Sequence, residues 1–175
     1  MDTVASSFEF DTGLLGAYYS GRGVSDFLPK VEAGWDYILA FDNYEQQANW
    51  PEAHMEGLRL FYNRAWMKGG DSHWILPMSW KYRDATTGID RVVENTYRIG
   101  SSFRMPVIPC AIGWNKLVTQ EGLPAEDSLL SFRYAGYNCA LMLYAQFFER
   151  DGSALGFTPG FTNGAFPLPE DEVAA

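Results

Sequence analysis

The residues most suggestive of chemistry form the tetrapeptide Gly70-Asp71-Ser72-His73, where a serine hydroxyl stands next to an imidazole. A serine acts as a nucleophile when a nearby base takes its proton. The tetrapeptide follows a predicted helix and precedes a predicted strand, however, so Ser72 lies at the amino end of that strand. Active sites of open α/β sheets lie at the carboxyl ends of strands. A glycine-rich turn that ends the helix is therefore the favoured interpretation, and Ser72 and His73 are weak catalytic candidates.

The chain contains two histidines, His54 and His73, and two cysteines, Cys110 and Cys139. Any catalytic histidine is therefore one of these two. No Cys/His spacing typical of zinc ligands occurs, so we expect neither a metal nor another cofactor. A disulfide between the cysteines is one alternative. Two buried thiols, one in a strand and one in a helix, are the favoured interpretation.

Asp42 and Asn43 stand out among the polar residues because they follow a predicted strand at its carboxyl end. Ligands of α/β proteins usually bind there. The other carboxylates show no paired spacing that specifies acid–base chemistry, and most are expected on the solvated surface.

Three tryptophans, Trp50, Trp80 and Trp114, are predicted to lie in loops that follow strands. An exposed indole offers a flat apolar face on which a sugar ring can stack. These residues are therefore candidates for carbohydrate binding, and packing in the core is the alternative.

The elements that position these residues alternate between short apolar runs and helical patterns. Strands are predicted at Trp35–Phe41, Trp74–Met78 and Pro106–Cys110, and helices from Pro51 to the glycines at 69–70, from about Thr87 to Phe103, around Trp114–Val118 and over Tyr134–Phe148. Continuous apolar strands that alternate with helices indicate an α/β fold with a parallel sheet covered on both faces.

The chain divides by composition into three parts: an N-terminal segment over 1–33 that is partly irregular, an α/β domain over 34–150, and a C-terminal arm over 151–175. The arm repeats a Gly-Phe-Thr unit and has an acidic end, Glu170-Asp171-Glu172. Its Phe157, Phe161 and Phe166 are predicted to dock on a partner or on the domain itself, because exposed phenylalanine in a free tail is unfavourable. A solvated extension is the alternative.

The composition limits the classes of partner. The chain has 175 residues, 16% aromatic residues and a net charge of −9. The apolar content excludes disorder over most of the chain, and the negative charge argues against nucleic acid or an anionic membrane as the main partner. We expect no membrane insertion, because no apolar run is long enough to span a bilayer. No secretory signal is visible, and the compartment is left open.

Four segments, in this order and spacing, resemble the SGNH/GDSL hydrolase superfamily. They are Trp35-Asp36-Tyr37-Ile38-Leu39, the strand from Trp74 to Trp80, the strand and loop from Pro106 to Trp114, and the helix that contains Gly136-Tyr137-Asn138-Cys139-Ala140. The resemblance implies a three-layer α/β/α sandwich with a short parallel sheet. It also implies an esterase, a lipase or a carbohydrate deacetylase that uses a serine nucleophile, a histidine base and an aspartate.

The resemblance does not extend to the catalytic blocks. Residues 1–33 contain no strand followed by Gly-Asp-Ser. The positions of the family's histidine and aspartate carry Ser131 and Ser128, and Asp127 is one residue away. Asn43 is the only stand-in for the family's oxyanion asparagine. A serine without a base is a poor nucleophile at neutral pH, so we expect no competent serine hydrolase in this chain alone.

These observations predict a non-catalytic SGNH-like domain that acts as a structural or binding subunit of a larger assembly, with a protein partner or a second copy of the chain. A parallel sheet without its first strand leaves an open edge that a partner strand could cover. One alternative is an esterase or carbohydrate deacetylase completed by another chain. The other is a carbohydrate-binding module.

Overall fold

A computed structural model describes residues 13–21, 23–80, 88–120 and 128–150 of the chain. These residues form α1 (Gly13–Tyr19), a π-helical turn (Gly23–Phe27), α2 (Leu28–Val31), β1 (Tyr37–Leu39), α3 (Tyr44–Asn49), α4 (Pro51–Met67), β2 (His73–Pro77), α5 (Ile89–Phe103), β3 (Val107–Ile108), α6 (Cys110–Thr119) and α7 (Ser128–Phe148). The prediction of a mixed α/β fold with a short parallel sheet is confirmed.

The sheet has the order β1-β2-β3 within the described part of the chain. β1 and β2 run parallel with Tyr37 opposite His73 and Leu39 opposite Ile75. β2 is joined to the residues before β3 by a hydrogen bond from Leu76 N–H to the Pro106 carbonyl, at 2.9 Å. Because β1 and β2 are parallel, their carboxyl ends meet at one edge of the sheet.

The chain forms two compact units, one of Met1–Ser79 with Asp90–Val107 and one of Trp80–Ile89 with Ile108–Ala175. In the first unit, Trp74 and Leu76 alternate along β2 and point into one apolar cluster. Leu58 and Phe61 of α4 and Ile99 of α5 fill the same cluster. Ala17 of α1 and Leu28 of α2 belong to it as well, so a face of the sheet and four helices share this core.

The ends of α4 follow from its sequence. Pro51 occupies the first turn, where backbone N–H groups make no intrahelical hydrogen bond, so the lack of an N–H in proline costs no bond there. After Met67 the chain turns through Gly69, whose φ of +80° lies in the left-handed region that glycine adopts at little cost. The predicted helix from Pro51 to the glycines is confirmed, and so is the helix that ends at Phe103.

The second unit contains α6 and α7. Trp114 of α6 is buried with Tyr134 and Ala135 of α7 in a small apolar cluster. Gly113 allows this approach, because a Cβ there would lie 2.3 Å from both Asn138 Nδ2 and Met142 Cε. α7 spans Ser128–Phe148, so the predicted helix over Tyr134–Phe148 is confirmed at its end but begins six residues earlier than predicted.

Cys110 and Cys139 form a disulfide that joins α6 to α7, with an S–S distance of 1.98 Å. The favoured prediction of two buried thiols is therefore wrong, as is the placement of Cys110 in a strand. α6 begins at Cys110, directly after Pro109. The packing of the two helices brings the Cα atoms to 4.8 Å, within the range that a disulfide bridges.

Candidate functional site

The carboxylate of Asp42 lies three residues after the end of β1 and is the centre of a buried polar group. Its Oδ2 accepts hydrogen bonds from His54 Nδ1 at 2.6 Å and from the Leu14 N–H at 3.3 Å. Its Oδ1 accepts a bond from the Asn43 N–H at 2.8 Å. Asp42 is only 4% exposed, and these donors offset the cost of removing its charge from water.

His54 is the side-chain partner of Asp42 in this group and is 0% exposed. When Nδ1 donates its proton to the carboxylate, a neutral imidazole leaves Nε2 as an acceptor. Among the described residues, nothing donates a hydrogen bond to Nε2. The pair is thus an aspartate-oriented imidazole whose second nitrogen is buried without a partner.

α4 directs His54 inward by its spacing. His54, Leu58, Phe61 and Ala65 recur at i, i+4, i+7 and i+11, and all four are buried. Positions at this spacing share one face of a helix, so the histidine occupies a core position of an otherwise apolar stripe. Asp42 is the carboxylate that compensates for it.

A second set of hydrogen bonds surrounds the buried Gln47 of α3. Its Oε1 accepts from the Ser79 N–H at 2.8 Å and from Thr96 Oγ1 at 3.3 Å. Its Nε2 donates to the carbonyl of Pro77 at 3.1 Å. The Ser79 hydroxyl donates to the backbone carbonyl of Asp42. These bonds join the carboxyl ends of β1 and β2 and leave the hydroxyl of Ser79 engaged.

The Asp42–His54 pair supplies two members of a proton relay, and no described serine hydrogen-bonds to His54 Nε2 as the third. An aspartate can orient a histidine, and the histidine can then take a proton from a nucleophile at Nε2. Here Nε2 is buried, and Ser79, the serine of the buried group, donates to a backbone carbonyl. In the state described, the pair stabilises the fold at the carboxyl edge of the sheet.

Ser72 and His73 lie at the other end of β2 from this pair. The prediction that their tetrapeptide follows a helix and precedes a strand is confirmed, since β2 begins at His73. His73 is exposed, and its ring lies 5.5 Å from that of Tyr37. The Ser72 hydroxyl is buried without a hydrogen-bond partner among the described residues.

Asn43 caps α3, and its side-chain oxygen accepts from the Gln46 N–H at 2.9 Å. A capping role explains why an asparagine stands at this position. Its suggested part in an oxyanion site stays a prediction. Asp127 lies outside the described residues, and so do Phe157, Phe161 and Phe166, whose predicted docking on a partner also stays a prediction.

The three candidate tryptophans have different environments. Trp50 immediately precedes α4 and is 56% exposed. Trp80 is partly buried against the cluster of Trp114. Trp114 lies within α6, which begins four residues earlier, so the predicted helix around Trp114–Val118 is confirmed and the placement of Trp114 in a loop is wrong. Its indole is buried to 1% exposure. Core packing is the role that its environment supports.

Sequence reasoning named Asp42 and His54 separately and missed their contact. The available signal was the position of His54 on the buried stripe of α4, where an unpaired imidazole would be costly. Gln47 and Ser79 were missed entirely.

Within the described ranges, no group of three or more His, Cys, Asp or Glu residues could hold a metal ion. No helix in those ranges is both long and apolar enough to cross a membrane.

Comparisons of the chain with protein-family models, with characterised proteins and with solved structures found no match.

Proposed function

We propose that this chain is a non-catalytic, SGNH-like α/β domain that serves as a structural or binding subunit of a larger assembly. The observation that carries the proposal is the state of its two histidines. His54 is 0% exposed and bound to Asp42, so it cannot reach a substrate in this state. His73 begins β2, six residues before Ser79 and thus about 20 Å from that end of the sheet.

The order of the elements supports the SGNH-like part of the proposal. Three short parallel strands are separated by helices, and the long helix α7 closes the described chain. In such a fold, catalytic groups are expected beyond the carboxyl ends of the strands. At the ends of β1 and β2, this chain instead has side chains that hydrogen-bond to one another.

The exposure of β1 supports a binding role. Tyr37 and Leu39 lie on one face of β1, because they alternate along the strand, and Phe41 follows two residues after its end. The three side chains are 52%, 47% and 44% exposed. Within the part of the chain that the structure describes, β1 is also an edge strand of the sheet. Apolar side chains concentrated on an edge strand favour contact with another protein surface.

Light scattering on the purified chain tests this proposal, with Leu39→Lys as the perturbation. A lysine in an apolar contact introduces a charge that must be desolvated, so we expect the variant to lower the molar mass of any assembly. Tyr97→Lys is the matched control, because Tyr97 is 46% exposed but lies on α5. A wild type that stays monomeric, or an assembly that Leu39→Lys leaves intact, would count against the proposal.

A second candidate function is an SGNH-type esterase or carbohydrate deacetylase completed by another chain. The Asp42–His54 hydrogen bond favours it, because that pair could serve a nucleophile that a partner supplies. A fluorophosphonate probe labels activated serines and tests for this enzyme. The non-catalytic subunit predicts no labelling of the purified chain or of a chain that copurifies with it. Labelling of a copurifying chain that His54→Gln abolishes would favour the completed enzyme, and labelling of this chain that Ser72→Ala or Ser79→Ala abolishes would favour an enzyme with its own nucleophile.

A carbohydrate-binding module is the third candidate, favoured by the exposure of Trp50. If a sugar stacks on this indole, a panel of sugars should contain one that changes the tryptophan fluorescence. Trp50→Ala should remove that change. The buried Trp114 should contribute nothing to it.

A further inference from the structure

The first turn of α1 lies over the Asp42–His54 pair. The Leu14 N–H donates to Asp42 Oδ2, the same oxygen that His54 Nδ1 contacts. Gly13, which begins α1, has a φ of +68°, and a Cβ there would lie 2.8 Å from Asp42 Oδ1. α1 therefore packs directly against the carboxylate that orients the imidazole.

Gly57 shows how closely α1 approaches α4. It lies three residues after His54, on the same side of the helix. A Cβ at Gly57 would lie 2.4 Å from the backbone nitrogen of Leu15 and 2.7 Å from the backbone carbonyl carbon of Leu14. Such distances require the backbone of α1 to move, so glycine at this position is what permits the closed arrangement.

In the closed arrangement, the apolar contacts of α1 offset the cost of burying a nitrogen without a hydrogen-bond partner. His54 Nε2 is buried with no hydrogen-bond partner among the described residues, a cost that contact with water would remove. Leu14, Ala17 and Tyr18 hold α1 in place by packing in the apolar cluster of the first unit. The cover is therefore attached mainly by side-chain packing and by one hydrogen bond to the pair.

We propose that α1 is a removable cover, and that its displacement exposes the Asp42–His54 pair as a binding site for a hydroxyl-bearing ligand. In the opened state, Asp42 still orients the ring through Nδ1, and Nε2 accepts a hydrogen bond from the ligand's hydroxyl. This inference goes beyond the role as a subunit, which concerns the surface of β1.

Modification by diethyl pyrocarbonate, located by mass spectrometry, tests the cover. The reagent attacks neutral imidazole nitrogen, and the chain provides its own reference because the exposed His73 is the only other histidine. In the wild type, we expect rapid modification of His73 and slow modification of His54. Equal rates for the two histidines in the folded wild type would overturn the proposal.

Gly57→Ala is the perturbation, since alanine favours the helical conformation of α4 while its Cβ displaces α1. We expect His54 to be modified about tenfold faster than in the wild type, with His73 unchanged. Gly21→Ala is the matched control, because a Cβ at Gly21 meets nothing within 4 Å. An unchanged rate at His54 in a folded Gly57→Ala variant would show that α1 is not the cover.

Two further measurements keep the proposal testable if Gly57→Ala does not fold. Leu14→Ala removes packing from α1 and should raise the rate at His54 in the same direction, whereas no increase would contradict the proposal. In the wild type, the rate at His54 should depend on urea less steeply than global unfolding does, because opening of α1 alone exposes little surface. Equal urea dependences would mean that His54 is reached only by complete unfolding.

Discussion

Replacing Asp42 with asparagine tests the buried pair with almost no change in shape. The carboxylate accepts hydrogen bonds from His54 Nδ1, Leu14 N–H and Asn43 N–H. An asparagine supplies only one acceptor oxygen. If that oxygen takes the place of Oδ2, the bonds to His54 and Leu14 persist, but the new amide group faces the Asn43 N–H, donor against donor.

The expected loss of stability follows from the number of hydrogen bonds that an asparagine at this position can still accept. One buried donor left without an acceptor costs about 1–3 kcal/mol, and a bond to a neutral acceptor is about half as strong as one to a carboxylate. Together these effects predict that Asp42→Asn lowers the free energy of unfolding by about 2–4 kcal/mol. In the opposite orientation, the amide would donate to His54 Nδ1 only if the ring took its other tautomer, and the Leu14 N–H and the new Nε2–H would then both lack an acceptor, so this orientation is less favourable.

Urea unfolding monitored by circular dichroism measures this loss, provided that the urea dependence is the same in both proteins. Asp71→Asn is the matched control, because Asp71 is exposed and should change stability by less than about 0.5 kcal/mol. His54→Gln and the double variant complete a cycle, in which the two single losses should not add. An Asp42→Asn variant as stable as the control, or losses that add fully, would refute the stabilising role of the pair.

Three other predictions follow from separate parts of the molecule. Replacing Cys110 and Cys139 with serine removes a disulfide across a sequence separation of 29 residues, and the loop-entropy relation predicts that the free energy of unfolding falls by about 3.5 kcal/mol. Denaturation with and without a reductant measures this loss, and equal stabilities would contradict the stabilising role of the disulfide. Phe61→Ala should cost about 3–5 kcal/mol in urea unfolding, because the ring is 3% exposed and contacts Tyr18, and a loss below 1 kcal/mol would contradict its core position. The side-chain hydrogen bond from Arg59 lowers the pKa of Glu56. The stabilisation from this exposed pair is therefore present above the ordinary carboxylate pKa and is lost as the pH falls through the lowered value. Carboxyl NMR titration should show the lowered pKa of Glu56 return towards normal in Arg59→Gln.

The helices with clear apolar periodicity were predictable from the sequence. α4 has both a regular buried stripe and distinct end signals, a proline at its start and glycines after its end. The run from Pro106 to Cys110 carried less information, because a short apolar run is compatible with a strand or with the start of a buried helix. The structure divides it between β3 and the first turn of α6.

The site was predictable only in part. The position of Asp42 after a strand indicated the carboxyl edge of the sheet, where the structure places its buried contacts. Its pairing with His54 depends on how α4 packs against the end of β1, and no local spacing specifies that packing. The disulfide was misjudged for the same reason, since α6 and α7 meet through tertiary contacts. The division into three segments by composition stays a prediction.

The measurement that tests the central claim most directly is the molar mass of the purified chain in solution, followed by light scattering over a dilution series. A structural or binding subunit whose contact surface includes β1 predicts a mass above the 19.7 kDa of one chain, decreasing on dilution and in Leu39→Lys. A mass of 19.7 kDa at every concentration, together with serine-dependent labelling by a fluorophosphonate, would contradict the claim and favour an enzyme.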